Sequence, residues 1–115
     1  MIPKHNNSAD FFKRVYEVVA AIPYSKVTTY GAIAEHLGVR SGARAVGWAL
    51  NKTLTHYLGE EIPCHRVVNR LGQLSGKVHF GGNVMEERLR QEGVVFLSPD
   101  TIDLKQHFWH PDEGP

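Results

Sequence analysis

The stretch TTYGAIAEHLGVRSGARAVGWALNK, Thr28 to Lys52, reads as two short helices joined by a glycine-containing turn, and that reading decides the fold. Thr29 is placed to cap a helix over Tyr30 to Leu37, because its hydroxyl can accept from an N–H that the first turn leaves unpaired. Ile33, Ala34 and Leu37 form its inner face, and Gly38, free to take positive φ, ends it. Ser41 then caps a helix from Gly42 to about Lys52, with Ala43, Val46, Gly47 and Leu50 on one stripe. Arg44, Trp48, Asn51 and Lys52 fall on the opposite stripe. The outline is that of a helix-turn-helix, whose second helix meets DNA. Spacing alone equally fits αα corners that bind nothing.

Upstream, Phe11, Val15, Val18 and Ile22 recur at helical spacing after Ser8 until Pro23, and residues 1–7 read as a loose arm. Downstream, the pattern dissolves after Thr53 into a polar connection. Val67-Val68 and Gln73-Leu74 then read as two short strands of a hairpin, or wing, turning at Arg70-Leu71-Gly72. Past the loop SGKVHFGG, Asn83 with Glu86 fits a capping box opening a helix to about Gln91, which Gly93 ends. Val94 to Phe96 fits a strand. In the tail, residues 97–115, Ile102, Leu104, Phe108 and Trp109 are expected to lie back on the domain. The expected class is mainly α with a small β hairpin, a winged helix-turn-helix in a single domain over residues 1–115.

Composition narrows the function. The chain has 115 residues, 42% apolar and 22% charged, which suits one soluble domain with one modest core. No apolar run is long enough to span a membrane and the N-terminus lacks the apolar core of a signal peptide, so the expectation is cytoplasmic. One cysteine excludes an internal disulfide and a paired-cysteine zinc site; the seven histidines are scattered, so no metal or cofactor is expected. The net charge of +1 announces no nucleic-acid binder, but Lys26, Arg40, Arg44, Lys52, Arg66, Arg70 and Lys77 gather mid-chain while acidic residues gather at the end.

The cysteine stands in IPCHRVVN, Ile62 to Asn69. A lone cysteine is commonly an inert core residue. Here Pro63 fixes the backbone entering Cys64, His65 offers a base and Arg66 adds positive charge, the surroundings that favour a reactive thiolate. In an extended segment neighbouring side chains diverge, so His65 is expected to act through a water or a turn.

The motifs VTTYGAIAEHLG, ARAVGWAL, PCHRVV and ERLRQEGV, in that order, resemble the DNA-binding, catalytic domain of the O6-alkylguanine-DNA alkyltransferases, from about Phe11 to Phe96. The resemblance implies that Cys64 accepts the alkyl group irreversibly, that His65 deprotonates it through a water, and that Glu92 orients His65. It implies that Arg44 fills the space left by an extruded nucleotide and that Tyr30 helps rotate the 3′ phosphate outward. Gly42 and Ala43 allow close approach to the minor groove, and Lys52 adds a phosphate contact. Trp48 and the loop residues Val78, His79, Phe80, Gly81 and Gly82 are the candidates for the guanine pocket. The implied partner is double-stranded DNA containing O6-alkylguanine, bound by a monomer without a cofactor.

Departures from the family pattern bear on activity. The family usually carries an N-terminal domain ahead of this one. The connection between Thr53 and Glu61 is longer than usual, and Thr53 stands where a hinge asparagine is usual. GKVHFGG replaces a loop that tends to hold tyrosine and serine before paired glycines. The tail TIDLKQHFW resembles that of alkyltransferase-like proteins, which bind such lesions and recruit other repair proteins but hold tryptophan where Cys64 stands. Three readings follow: a self-inactivating transferase, a lesion sensor, and a sequence-reading regulator with an inert cysteine.

Overall fold

The computed structural model describes residues 5–39, 42–56, 62–75 and 83–114, of which 5–9 and 51–56 as backbone only. In chain order the elements are α1 (His5–Ala20), β1 (Thr28–Thr29), α2 (Tyr30–Leu37), α3 (Ala43–His56), a 3-10 turn (Cys64–Arg66), β2 (Val67–Val68), α4 (Val84–Gln91), β3 (Phe96–Ser98), β4 (Thr101–Ile102), α5 (Leu104–His107) and a closing 3-10 turn (Pro111–Glu113). The expected class holds: mainly helical, built on a helix-turn-helix, with one small antiparallel strand pair.

Local chemistry sets the helix-turn-helix. Thr29 is extended and its hydroxyl accepts from the Ala32 N–H at 3.0 Å, while Gly38 ends α2 in the left-handed region at φ 70°. Helices α1, α2 and α3 enclose one core of Val15, Val19, Ile33, Val46, Ala49 and their neighbours, which includes Cys64 and Trp109. A second core holds Val27, Val68, Leu74, Met85, Leu89, Val94 and Ile102. Strand β2 divides them: Val67 belongs to the first core and Val68 to the second, as alternation along a strand dictates.

Several expectations need correction. Helix α1 starts at His5, inside the segment read as an arm, and α3 runs to His56, so Thr53 is helical. The hairpin does not form as drawn. Val67–Val68 pairs in parallel with Thr28–Thr29, while Gln73 bridges Thr101 and the antiparallel pair is β3 with β4. Both valines are buried, the pattern of a strand covered on both faces rather than of a half-exposed hairpin. Asn69 turns the chain instead, its Oδ1 accepting from the Leu71 and Gln73 N–H groups, each at 2.9 Å. Gly72 completes this turn at φ +85°, where an added Cβ would stand 2.7 Å from the Ile102 carbonyl oxygen.

The capping box at Asn83 is also absent. Its φ of −104° and ψ of 19° lie outside the extended region from which a cap side chain reaches back, and Glu86 pairs with Arg90 at 2.7 Å. The strand expected at Val94 to Phe96 is shifted to Phe96–Ser98, because Val94 closes α4 and enters the second core.

The tail does lie back on the domain. The Val27 N–H donates to the His107 carbonyl at 2.9 Å and the Trp109 N–H to the Val27 carbonyl at 2.8 Å, placing residues 107–109 beside β1. His107 is buried with both ring nitrogens used, Nε2 accepting from the Val95 N–H at 2.9 Å and Nδ1 donating to the Ser25 carbonyl at 3.0 Å. Contacts of His36 with Asp112 at 2.6 Å and of His110 with Glu35 at 2.8 Å tie the end of the tail to α2. Phe108, expected to pack inward, is 38% exposed.

Candidate active site

Cys64 opens the 3-10 turn. Pro63 precedes it at φ −80°, and the Cys64 N–H donates to the Ile62 carbonyl at 2.8 Å while the Arg66 N–H returns to the Pro63 carbonyl at 2.9 Å. Three residues per turn send successive side chains in three directions rather than to two opposite faces. The sulfur of Cys64 enters the first core, 5% exposed, and His65 and Arg66 are directed toward the C-terminal end of α4.

There Glu92 is the hub. Its Oε2 meets His65 Nε2 at 2.7 Å and accepts from Arg66 Nη2 at 2.9 Å, and its Oε1 accepts from Arg66 Nε at 2.9 Å and from the Ser25 N–H at 3.1 Å. Ser25 Oγ also donates to the Glu92 carbonyl at 2.7 Å. Ser25 is the one non-glycine among the described residues with positive φ, at 70°, so the backbone accepts strain where it turns to meet this carboxylate. Arg66 is braced further: Nη1 donates to the Ile22 carbonyl at 2.8 Å and the ring of Tyr24 lies 5.6 Å from the guanidinium carbon. Arg66, one of the basic residues that gather mid-chain in the sequence, thus turns its charge inward, onto Glu92.

This arrangement sets the charge states. Burial pushes the Glu92 carboxyl upward, but hydrogen bonds from Arg66, His65 and the Ser25 N–H outweigh it and hold the group below the usual carboxylate range. Burial lowers His65, reinforced by Arg66 and Arg88 and opposed by Glu92, so the imidazole is kept neutral near pH 7. Its Nδ1 is buried with no partner among the described residues. Burial pushes the Cys64 thiol up to about 12 against the pull of the Arg88 charge, so the resting sulfur is protonated.

Tyr30 joins the group. It is the first residue of α2, with its hydroxyl bonded to Ser75, and burial raises its pKa, the Ser75 bond lowering it and Cys64 adding to the rise. Its ring rests on α3 at Gly47, where an added Cβ would lie 3.9 Å from Cδ1. Cys64, His65, Glu92 and Tyr30 are thus assembled from three segments of the chain: the 3-10 turn, the end of α4 and the start of α2. Ala43 and Arg44 lie on the exposed side of α3, and Trp48, 51% exposed, meets Phe12 of α1 with ring centroids 5.1 Å apart. Gly42 precedes α3 at φ +66° with open space where a side chain would stand. The side chain of Lys52 and the loop residues Val78, His79, Phe80, Gly81 and Gly82 lie outside the described residues.

Sequence reasoning missed Ser25, Ser75 and Arg88. Ser25 is 67 positions from Glu92, and no periodicity links them. The alternating basic and acidic residues of ERLRQE offered no sign of which arginine faces the thiol.

The family model described as the DNA-binding domain of 6-O-methylguanine DNA methyltransferase matches residues 10–94. The chain belongs to this family. Alkyltransferase-like protein 1 of Schizosaccharomyces pombe is 37% identical over 108 residues, covering 89% of this chain and 96% of that protein. A crystal structure of the S. pombe protein with damaged DNA containing O6-carboxymethylguanine superposes with a TM-score of 0.71 at 36% identity, covering 88% of this chain and 95% of that one. The methylated-DNA–protein-cysteine methyltransferase of Mycobacterium tuberculosis (strain H37Rv) is 37% identical over 95 residues, covering 83% of this chain and 54% of its own length. The chain therefore spans about half of that methyltransferase and nearly all of the alkyltransferase-like protein.

Proposed function

We propose that this protein binds duplex DNA through α2 and α3, draws an O6-alkylated guanine out of the base stack, and takes the alkyl group onto Sγ of Cys64. The observation that carries this reading is the His65–Glu92 contact of 2.7 Å beside Cys64, with His65 Nδ1 buried and unpartnered among the described residues. An inert core cysteine has no need of a neutral imidazole fixed by a buried carboxylate.

The chemistry runs as follows. A thiol held near 12 attacks only if a base removes its proton as the sulfur advances. His65, neutral and oriented by Glu92, takes that proton through a water at Nδ1, and the imidazolium formed is stabilised by the carboxylate. Sulfur then attacks the alkyl carbon, the S–C bond forms as the C–O6 bond breaks, and the electron pair goes to guanine. The proton taken from the thiol is returned to the guanine ring. The products are a thioether and unmodified guanine, and the protein is spent. Reaching O6 requires extrusion, a cost of a few kcal/mol that inserted and phosphate-contacting groups offset. Arg44, exposed on α3, is the group we assign to the vacated stack, and Tyr30, at the start of α2, to the flanking phosphate. A monomer suffices, since every group in this scheme comes from one chain.

Incubation with duplex containing O6-methylguanine is expected to raise the intact mass by one methyl, localised to the Cys64 peptide. Binding of that duplex with no mass change would leave the second reading, a lesion sensor that recruits other repair proteins. That reading draws on the near full-length match to the alkyltransferase-like protein and on the protonated resting thiol.

A further inference from the structure

Beside the helix-turn-helix lies a depression of about 380 Å³ lined by Thr29, Arg70, Leu104, Lys105 and Phe108, which no step above uses. Three chain segments running in the same direction bring these residues together: residues 107–109 bridge Val27, and β1 pairs in parallel with β2. Arg70 therefore emerges two residues past the end of β2, at the edge where Thr29 leads into α2 and Tyr30. Arg70 and Lys105 are both exposed and form no ion pair among the described residues. Among the described residues no carboxylate lines the depression. Asp103, the nearest acidic residue in sequence to Lys105, is turned to its own helix start, accepting from the Lys105 N–H at 3.1 Å and from Gln106 Nε2 at 2.8 Å. Phe108, the aromatic residue of this lining, is 38% exposed although its neighbours His107 and Trp109 are buried.

We propose that this depression seats the phosphodiester backbone of the same duplex, beyond the segment held by α2 and α3, with phosphates on Arg70 and Lys105 and a deoxyribose against Phe108. This assignment rests on the DNA-binding reading above. Charge complementarity selects the occupant: two exposed cations that form no ion pair among the described residues share the lining with an aromatic ring, a composition that suits a sugar-phosphate chain and repels a cation. Continuity selects the strand, because the depression shares Thr29 with the first turn of α2. The surface is built by the tail, so the tail acquires a part in binding as well as in covering the core.

Each phosphate neutralised by a lysine or arginine contributes about 0.9 to the slope of log affinity against log salt on duplex DNA. Fluorescence-anisotropy titrations of the full chain from 50 to 200 mM KCl, with a 20-base-pair duplex, read that slope. Arg70→Ala with Lys105→Ala is expected to lower its magnitude by about 2 and to weaken lesion and undamaged duplex by the same factor, roughly tenfold at 0.1 M salt. Phe108→Ala is expected to weaken both duplexes while leaving the slope unchanged. Lys13→Ala, an exposed cation on α1, is expected to leave slope and affinity as they are. An unchanged slope in the double variant, a loss of affinity without a loss of slope, or an equal change per charge in Lys13→Ala would each overturn the assignment. Failure of the unsubstituted protein to bind duplex would instead sink the DNA-binding reading. All three sites lie on the surface, and unchanged thermal melting of the variants confirms that folding is intact.

Discussion

Replacing Glu92 by glutamine keeps the shape of the side chain and removes its charge, which isolates what the carboxylate does. The Glu92 side chain is 7% exposed and that of Arg66 14%, so the pair is largely desolvated. With glutamine in place, the amide oxygen can still accept from Arg66, but the amide nitrogen must face the Ser25 N–H or the donors of Arg66 and His65. The guanidinium is left buried without a counter-ion, for which a cost of about 3 kcal/mol is the expected order. A domain of 115 residues melts with an enthalpy near 80 kcal/mol and an entropy of about 0.24 kcal/mol/K, so the melting temperature should fall by about 12 °C. Glu86→Gln is the matched control: its 2.7 Å pair with Arg90 is an exposed i, i+4 contact on α4, with an expected cost of about 0.4 kcal/mol and a shift of about 2 °C. Circular dichroism melts at pH 7.5 read both. Adding Arg66→Met to Glu92→Gln should recover much of the stability, because no unpaired charge remains, and should not recover the proposed alkyl transfer, which would need His65 held in place. A shift for Glu92→Gln no larger than that for Glu86→Gln would refute the view of Glu92 as a buried electrostatic hub.

Other consequences are open to direct measurement. With the Cys64 thiol held near 12, its thiolate fraction at pH 8 is some thousandfold below that of a free cysteine; higher intrinsic nucleophilicity recovers part of this, so iodoacetamide should label Cys64 roughly a hundredfold more slowly than N-acetylcysteine. Mass spectrometry follows the rate, and equal rates would contradict the burial argument. On the acid side, both the His65 and Glu92 pKa values are lowered by folding, so their contributions are complete above the unfolded values of about 6.5 and 4.3 and are lost as pH falls through the folded ones. The melting temperature should decline from pH 7 toward pH 4, with a smaller decline in Glu92→Gln. On the alkaline side the raised thiol gives the opposite sign, stability complete below about 8.5 and lost as pH climbs toward 12, and Cys64→Ser should remove that loss. Arg44→Ala should weaken lesion-duplex binding at least tenfold, and Lys52→Ala only by a shallower salt slope, as competition titrations would tell. Gly72→Ala combines a φ of +85° with a Cβ 2.7 Å from the Ile102 carbonyl oxygen and should cost roughly 2–3 kcal/mol, seen as a melting shift near 10 °C.

The helix-turn-helix was legible because its signals are local. Thr29 and Gly38 act on their own helix within a turn, and the α2 bounds follow directly from them. The strands were not legible, since two-residue segments carry no usable period. Val67-Val68 next to Gln73-Leu74 suggested a hairpin, whereas the partner of the valines lies some forty positions upstream and announces itself only through burial on both faces. The candidate site was readable in part: Cys64, His65 and Glu92 fall in motif order, yet the groups that tune their charge states include Ser25 and two arginines, Arg66 and Arg88. Such partners are selected by tertiary geometry, and a sequence displays an inward arginine and an outward one identically.

The two-residue ladder between β1 and β2 has a consequence for how this fold can change. Thr29 pairs with Val68, so the residue after Thr29, Tyr30, and the turn before Val67, which bears Cys64, are clamped to each other across a single parallel register. A slip of this ladder by one residue would send Val67 and Val68 each into the other's core, so tyrosine and thiol keep one spacing or the fold is lost: the two cannot be repositioned independently.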